Sequence, residues 1–434
     1  MFIVKKLLFI VVILAIVIAG GPFVSGLQAE KHYDASVVQL EQALQEYQHL
    51  ISYSVKKDYQ RGWFQSQAST ELQISPKDEA PITLNMQHSI QHGPIFWGKN
   101  PLFGLASTTT DLQYSAEAQE AISMLWKDKK PLVISSVTGF SGETTFDIKL
   151  TPFSLEENGN KVEVKPAQIT ASITPQADKL NASGHWQGMS LNSQDGTLNM
   201  GKMTFSSDKT RVLESLWVGD DQADIDFLTF SEPSGAAFRQ VNLQGFSMTA
   251  HSELQAEAIN ANANLRFAAV TIDKEKLASD IILNLKLNNI AAKPLVAIQQ
   301  VMTNWQQQAL QQTNPTPPDF AQLQPHFQAI LKQGPSIEIS KLHAATQKGN
   351  VDADLLASIK TDNPMLLSNP LFMLGAIQAK ANVSVPKALL MESPMAPQLE
   401  MYIQQGVLNE EAGQLKAKVD FTDGSLTIND QKMM

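Results

Sequence analysis

The chain has 434 residues, 43% of them hydrophobic and 18% charged, a balance that belongs to a folded protein and not to a disordered one. Its 43 acidic side chains outnumber 33 basic ones, for a formal charge of −10, which argues against broad electrostatic binding to nucleic acid or to anionic lipid surfaces. Cysteine is absent, so disulfides, thiol catalysis, thiolate metal sites and a cysteine-linked lipid anchor are excluded together.

Residues 1–6 form a short N-terminus that ends in Lys5 and Lys6. The run from Leu7 to Leu27 that follows carries no charge. At 1.5 Å per residue it spans roughly 30 Å, the thickness of a bilayer's hydrocarbon. The stretch Gly20-Gly21-Pro22-Phe23-Val24-Ser25-Gly26 lacks a clean small-x-small cleavage site, so residues 7–27 read as an uncleaved transmembrane anchor. Lysines on its N-terminal side keep residues 1–6 in the cytoplasm and send the rest to the periplasm of a bacterial inner membrane.

Val37, Leu40, Leu44, Tyr47 and Ile51 recur at spacings of three and four, which predicts an amphipathic helix over 31–52. From Tyr59 the period becomes two: Leu72 with Ile74, then Leu84, Met86, His88 and Ile90, then Phe146, Ile148 and Leu150. The same alternation returns in Ile281 to Leu287, Val351 to Leu355, Ala379 to Val385 and Leu415 to Phe421. Such strands bury one face and wet the other, as in antiparallel sheets. Asn158-Gly159, Asp195-Gly196 and Asp423-Gly424 supply turns between them. Helical stripes interrupt the pattern at Ala116–Lys129, at Leu295 to Trp305 and at Phe320 to Leu331, the last two separated by Asn314-Pro315-Thr316-Pro317-Pro318. The expected fold is β-dominated (α+β): large antiparallel sheets with a few helices, behind one N-terminal transmembrane helix. A main β region over 59–290, a helical hairpin over 291–335 and a C-terminal β region over 336–434 follow the amphipathic helix. Met365 to Leu374, bounded by Pro364 and broken by Pro370, reads as a short helix or buried loop.

No motif amounts to an active site. His88 and His92 share a strand face, yet no third metal ligand can be named. Asp220, Asp221, Asp224 and Asp226 lack the glycine and closing glutamate of a calcium loop and read as a solvated strand face. Nucleophile elbows and nucleotide-binding glycine patterns are missing, so the sequence implies no cofactor. Aromatics beside glycine recur in Gly139-Phe140-Ser141-Gly142, in Gly184 to Gly188 and in Gln244-Gly245-Phe246, as close strand packing requires. Nineteen phenylalanines and fifteen methionines in a β-rich body permit either an ordinary core or a lipid-binding groove.

The segment Gly21 to Glu30, the block Tyr59-Gln60-Arg61-Gly62-Trp63-Phe64, the His92-Gly93-Pro94 strand end and the ending Phe421 to Asn429 together resemble the YdgA-like family of bacterial proteins of unknown function. Asp430 stands where that family often has glycine. The resemblance implies an inner-membrane-anchored periplasmic protein and supplies no reaction. Tyr59, Arg61, Gly62, Trp63 and Phe64 are its most specific part, with a packing or a binding role. The expected function is a non-enzymatic envelope scaffold or binding module for lipid, another amphiphile or an envelope protein. The alternative is a cell-envelope hydrolase whose polar residues converge only in three dimensions. An apolar concavity running across several strands would favour the first, and a compact pocket of His, Asp or Glu the second.

Overall fold

The computed structural model describes residues 51–62, 65–76, 81–92, 95–96, 102–114, 116–127, 129–213, 215–232, 240–309, 320–360, 373–394 and 396–433, with Val37, Val38, Glu41 and Leu44. Strands dominate it, all paired antiparallel, and helices are few. Among the described residues no helix is long and apolar enough to cross a membrane; the expected anchor, 7–27, lies outside them. The chain forms two compact units. One takes residues up to Leu155, Val164–Trp186 and Val301–Pro318; the other takes Glu156–Glu163, Gln187–Gln300 and Asp319–Met434.

The first unit holds an eight-stranded meander. Its strands are β1 (Ile51–Gln60), β2 (Gln65–Pro76), β3 (Ile82–His92), β4 (Ala106–Gln113), β5 (Leu132–Thr138), β6 (Thr144–Leu150), β7 (Ala167–Ile173) and β8 (Lys179–Trp186), each paired with the next. The alternation that predicts the strands also builds the core: Leu72, Ile74, Leu84 and Met86 point to one face and are nearly inaccessible. Helical Leu44 joins that cluster, while helical Val37 packs with Ala68, Ile90 and Ala106. Tyr53 Oη donates to the Glu41 carbonyl at 2.9 Å, which ties helix to sheet. The helix does not extend to residue 52, however. Ile51 opens β1, opposite Pro76, so β structure begins eight residues before Tyr59. Ile51 lies seven residues after Leu44, which fits a helical stripe; it also starts the alternation Ile51, Tyr53, Val55, and pairing with β2 decides between them.

The second unit is built from longer strands: β9 (Met189–Ser193), β10 (Gly196–Met200), β11 (Met203–Leu213), β12 (Leu216–Ser231), β13 (Gln240–Gln255), β14 (Ala258–Ile272), β15 (Glu275–Ala291), β16 (Ser336–Thr346), β17 (Gly349–Ile359), β18 (Ile377–Pro386), β19 (Gln414–Thr422) and β20 (Ser425–Ile428). From β11 to β20 each pairs with its successor, and β10 continues the register of β11 against β12. The three helical stripes read from sequence fall on Ala116–Trp126, Ala292–Ala309 and Phe320–Lys332. The proline cluster 314–318 lies outside the described residues, and of the apolar stretch 365–374 only the start of a one-turn helix, Met373–Ala376, is described.

Several hairpins close through two residues with positive φ, the geometry whose twist matches that of the flanking strands. Asn158-Gly159 and Asp423-Gly424 do so with glycine, while Ala256-Glu257, Asp273-Lys274 and Asn429-Asp430 do so without it.

Candidate binding surface

The residues singled out in the sequence separate into packing and surface roles. Tyr59 is half-buried on the core face of β1, against the Val37, Ala68, Ile90 and Ala106 cluster. Arg61 and Gly62 are exposed, and Trp63 and Phe64 lie outside the described residues. A Cβ on Gly62 would sit 2.2 Å from the Gln65 carbonyl oxygen, so the β1–β2 turn closes only around glycine.

His88 and His92 do share the core face, but each engages hydroxyls. The His88 ring lies 3.2 Å from Thr70 Oγ1 and 2.9 Å from Thr110 Oγ1, and His92 Nε2 lies 3.0 Å from Ser66 Oγ. Burial pulls the His88 pKa down to about 4, so its imidazole is neutral at ordinary pH. Among the described residues no three His, Cys, Asp or Glu side chains gather as a metal site would need. Two aspartates of β12 are partnered across to the neighbouring strands: Asp221 accepts from Ser207 Oγ at 2.8 Å and from Lys209 Nζ at 2.5 Å, and Asp220 meets His251 Nδ1 at 2.7 Å. Glycine-aromatic segments mark bends. Gly142, Gly188 and Gly245 all have positive φ, and beside Gly245 the rings of Phe246 and Phe267 meet at a tilt of 47°, their centres 5.1 Å apart.

The second unit holds the feature that the sequence could not assemble. Residues directly opposite in an antiparallel pair share a face, so the registers trace rows across the sheet. One row runs Ala263, Leu285, Ile339, Leu355, Ala381, Val419. Two residues along the strands a second runs Leu265, Leu283, Leu342, Ala353, Val383, Ala417. On the other side a third runs Ala261, Leu287, Ile337, Ala357, Ala379, Phe421. No polar side chain interrupts them.

The opposite face carries Asn262, Lys286, Glu338, Leu356, Lys380 and Asp420 in the matching row. There Lys286 pairs with Glu338, His343 with Asp352, and Asn382 donates to Asp354. An open depression of about 400 Å³ is lined by polar groups such as Lys341, Asp354 and Asn382 and also by Leu342, Val383 and Ala417 of the second row.

An apolar face opposite a polar one ordinarily packs against another layer. In the first unit it does, and Leu72 and Ile74 are 0% exposed. In the second, no member of the three rows is buried; Ile337 and Val383 are each 38% exposed and Leu342 is 36% exposed. Helices of this unit bury Leu323 and Leu399 and still leave the rows half-exposed. Six strands at about 4.8 Å make each row about 24 Å long, and three rows give an area of about 400 Å². That is the size of the largest apolar patches on soluble monomers, which are commonly functional. Covering it would yield on the order of 10 kcal/mol.

Comparison with known proteins places the residues 4–434 within the family model described as "Bacterial protein of unknown function (DUF945)". The chain is similar to "Protein YdgA" of Escherichia coli (strain K12), 23% identical over 290 residues, which cover 62% of this chain and 56% of that protein. No solved structure matches.

Proposed function

We propose a function from one premise: this chain belongs to the DUF945 family of bacterial proteins of unknown function. It is a non-enzymatic binding module of the bacterial envelope, held at the inner membrane by residues 7–27 and carrying lipid or another amphiphile on the apolar face of its second unit. The observation that carries the reading is that face: three uninterrupted apolar rows across six strands, none of them buried. Hydrocarbon is the occupant that such a surface suits, because it offers no hydrogen-bond partner and asks for none.

The membrane part rests on the uncharged run 7–27 behind Lys5 and Lys6, whose charge orients residues 28–434 toward the periplasm. The cysteine-free background makes this simple to test. A single cysteine at exposed Lys432 should react with a membrane-impermeant maleimide once the outer membrane is opened, and labelling only after lysis of the inner membrane would place the body in the cytoplasm. For the binding part, the full chain is purified in mild detergent and its bound lipid measured by mass spectrometry. Lipid well above that on a control membrane protein is expected; recovery at background level would remove the proposal.

A further inference from the structure

The second apolar row is longer than its neighbours. Beyond Leu265 it continues through Met248 and Ala223 to Phe205 on β11, so it crosses nine strands, from β11 to β19, with no polar side chain in it. The rows on one side of it turn polar over the same strands. The first passes from Ala250 to Asp221, whose carboxylate is paired with Lys209, and the third passes from Ala261 to Ser252 and Gly219. On its other side a fourth row runs beside it. Met203, Ile225 and Phe246 stand opposite one another, the Phe246 and Phe267 rings meet, and Phe267 faces Ile281. None of these apolar side chains is buried.

Nine strands are eight spacings of about 4.8 Å, so the second row is about 38 Å long. One acyl chain fills half of the bilayer hydrocarbon, about 15 Å. The row is therefore more than two chains long. Its use is fixed at the β11 end, where the apolar width along a strand is only two positions about 7 Å apart. A chain cannot lie along those strands without leaving the apolar surface, whereas across them it meets apolar side chains throughout. The second and fourth rows run side by side, one for each chain of a diacyl lipid. A protein partner fits worse. The patch of about 400 Å² is half of the roughly 800 Å² that each partner buries in a standard complex, and the extension to β11 lengthens it into a strip.

We infer that the second row is a track on which acyl chains lie across the strands end to end, one diacyl lipid toward β11 and another toward β19. This rests on the proposal that the apolar face binds an amphiphile. It adds the ligand class, a lipid with two long unbranched chains, together with the direction of the chains and the capacity of the face. The rows offer no group that selects a headgroup, so length of chain and not charge decides what is held.

The test uses the full chain, incubated with vesicles of equal parts phosphatidylglycerol and phosphatidylethanolamine and re-isolated in mild detergent. Bound phospholipid is counted per chain, and a photo-crosslinking amino acid at position 205 or 353 reports each end of the row. About two lipids per chain are expected from the length of the row, with adducts at both positions. Ala223→Asp, next to Phe205 in the row, should lower the count to about one and remove the adduct at 205 while that at 353 remains. Val383→Asp, at a side chain 38% exposed and opposite Ala353, should do the reverse. One lipid per chain, a count that neither charge lowers, or loss of both adducts from either charge alone overturns the track and spares the amphiphile reading. A lipid-free monomer, or a lipid-free dimer with a second copy covering the face, overturns both.

Discussion

His88 should make the first unit acid-sensitive in a way that a single substitution removes. Its imidazole is 5% exposed and held between Thr70 and Thr110. Burial lowers the folded-state pKa from 6.5 to about 4. In the unfolded chain the ring therefore takes up its proton first as the pH falls. The stability that depends on the neutral ring is fully present above pH 6.5 and is lost progressively between pH 6.5 and 4. A shift of this size costs about 2 kcal/mol by pH 5 and about 3 kcal/mol by pH 4, at roughly 1.4 kcal/mol per unit. His88→Gln keeps a donor and an acceptor for the two threonines but does not titrate. Urea unfolding of both proteins at pH 7.5, 6 and 5 isolates the effect, because groups common to both cancel in the difference. The wild-type chain should lose about 2 kcal/mol relative to the variant between pH 7.5 and pH 5. A difference that stays constant over that range would refute the reasoning.

A matched pair of leucines tests whether the strands of the two units are covered differently. Leu72→Ala, at a site with 0% exposure, should cost 2–5 kcal/mol, roughly what buried leucines cost elsewhere, whereas Leu283→Ala on the half-exposed rows should cost about 1 kcal/mol, both read by urea unfolding. Lys274→Gly should raise the stability of the second unit by about 0.5 kcal/mol, because Lys274 holds φ 73° in the turn after Asp273, and thermal unfolding reports the gain. Gly62→Ala should lower stability by about 1–3 kcal/mol, since its Cβ meets the Gln65 backbone, and the loss should appear as faster hydrogen exchange in β1 and β2.

Much of the architecture is legible in the alternation of single strands. Leu72 with Ile74, Ile281 to Leu287 and Ala379 to Val385 declare their strands because every second residue is apolar. Asn158-Gly159 and Asp423-Gly424 declare their turns because glycine and asparagine accept positive φ. Ala256-Glu257 and Asp273-Lys274 adopt the same turn invisibly, since strand pairing forces a conformation their composition does not advertise. Ile51 sits where helical and strand periods coincide, and only the partner strand settles it.

The candidate surface is less legible for a different reason. Alternation shows that Leu283, Leu355 and Val383 each lie on the apolar side of a strand, but not that all three share one face. That follows from the registers. Whether the face is covered depends on the rest of the chain. A hint lies in the ratio of elements: long alternating strands from 240 to 291 and from 336 to 428 accompany few helical stripes, too few to roof so wide a sheet. His88, by contrast, looks in sequence like half of a metal pair, and its hydroxyl partners come from strands 18 and 22 residues away.

Adjacent leucines on β17 offer the most direct test of the amphiphile face. Leu355 stands in the middle of the apolar rows, and Leu356, 46% exposed, points to the polar side of the same strand. A photo-crosslinking amino acid is placed at either position in membranes containing radiolabelled phospholipid, and the chain is isolated after illumination. The account predicts a lipid adduct from position 355 and little from 356. Equal labelling at both positions, or labelling at 356 alone, would contradict it.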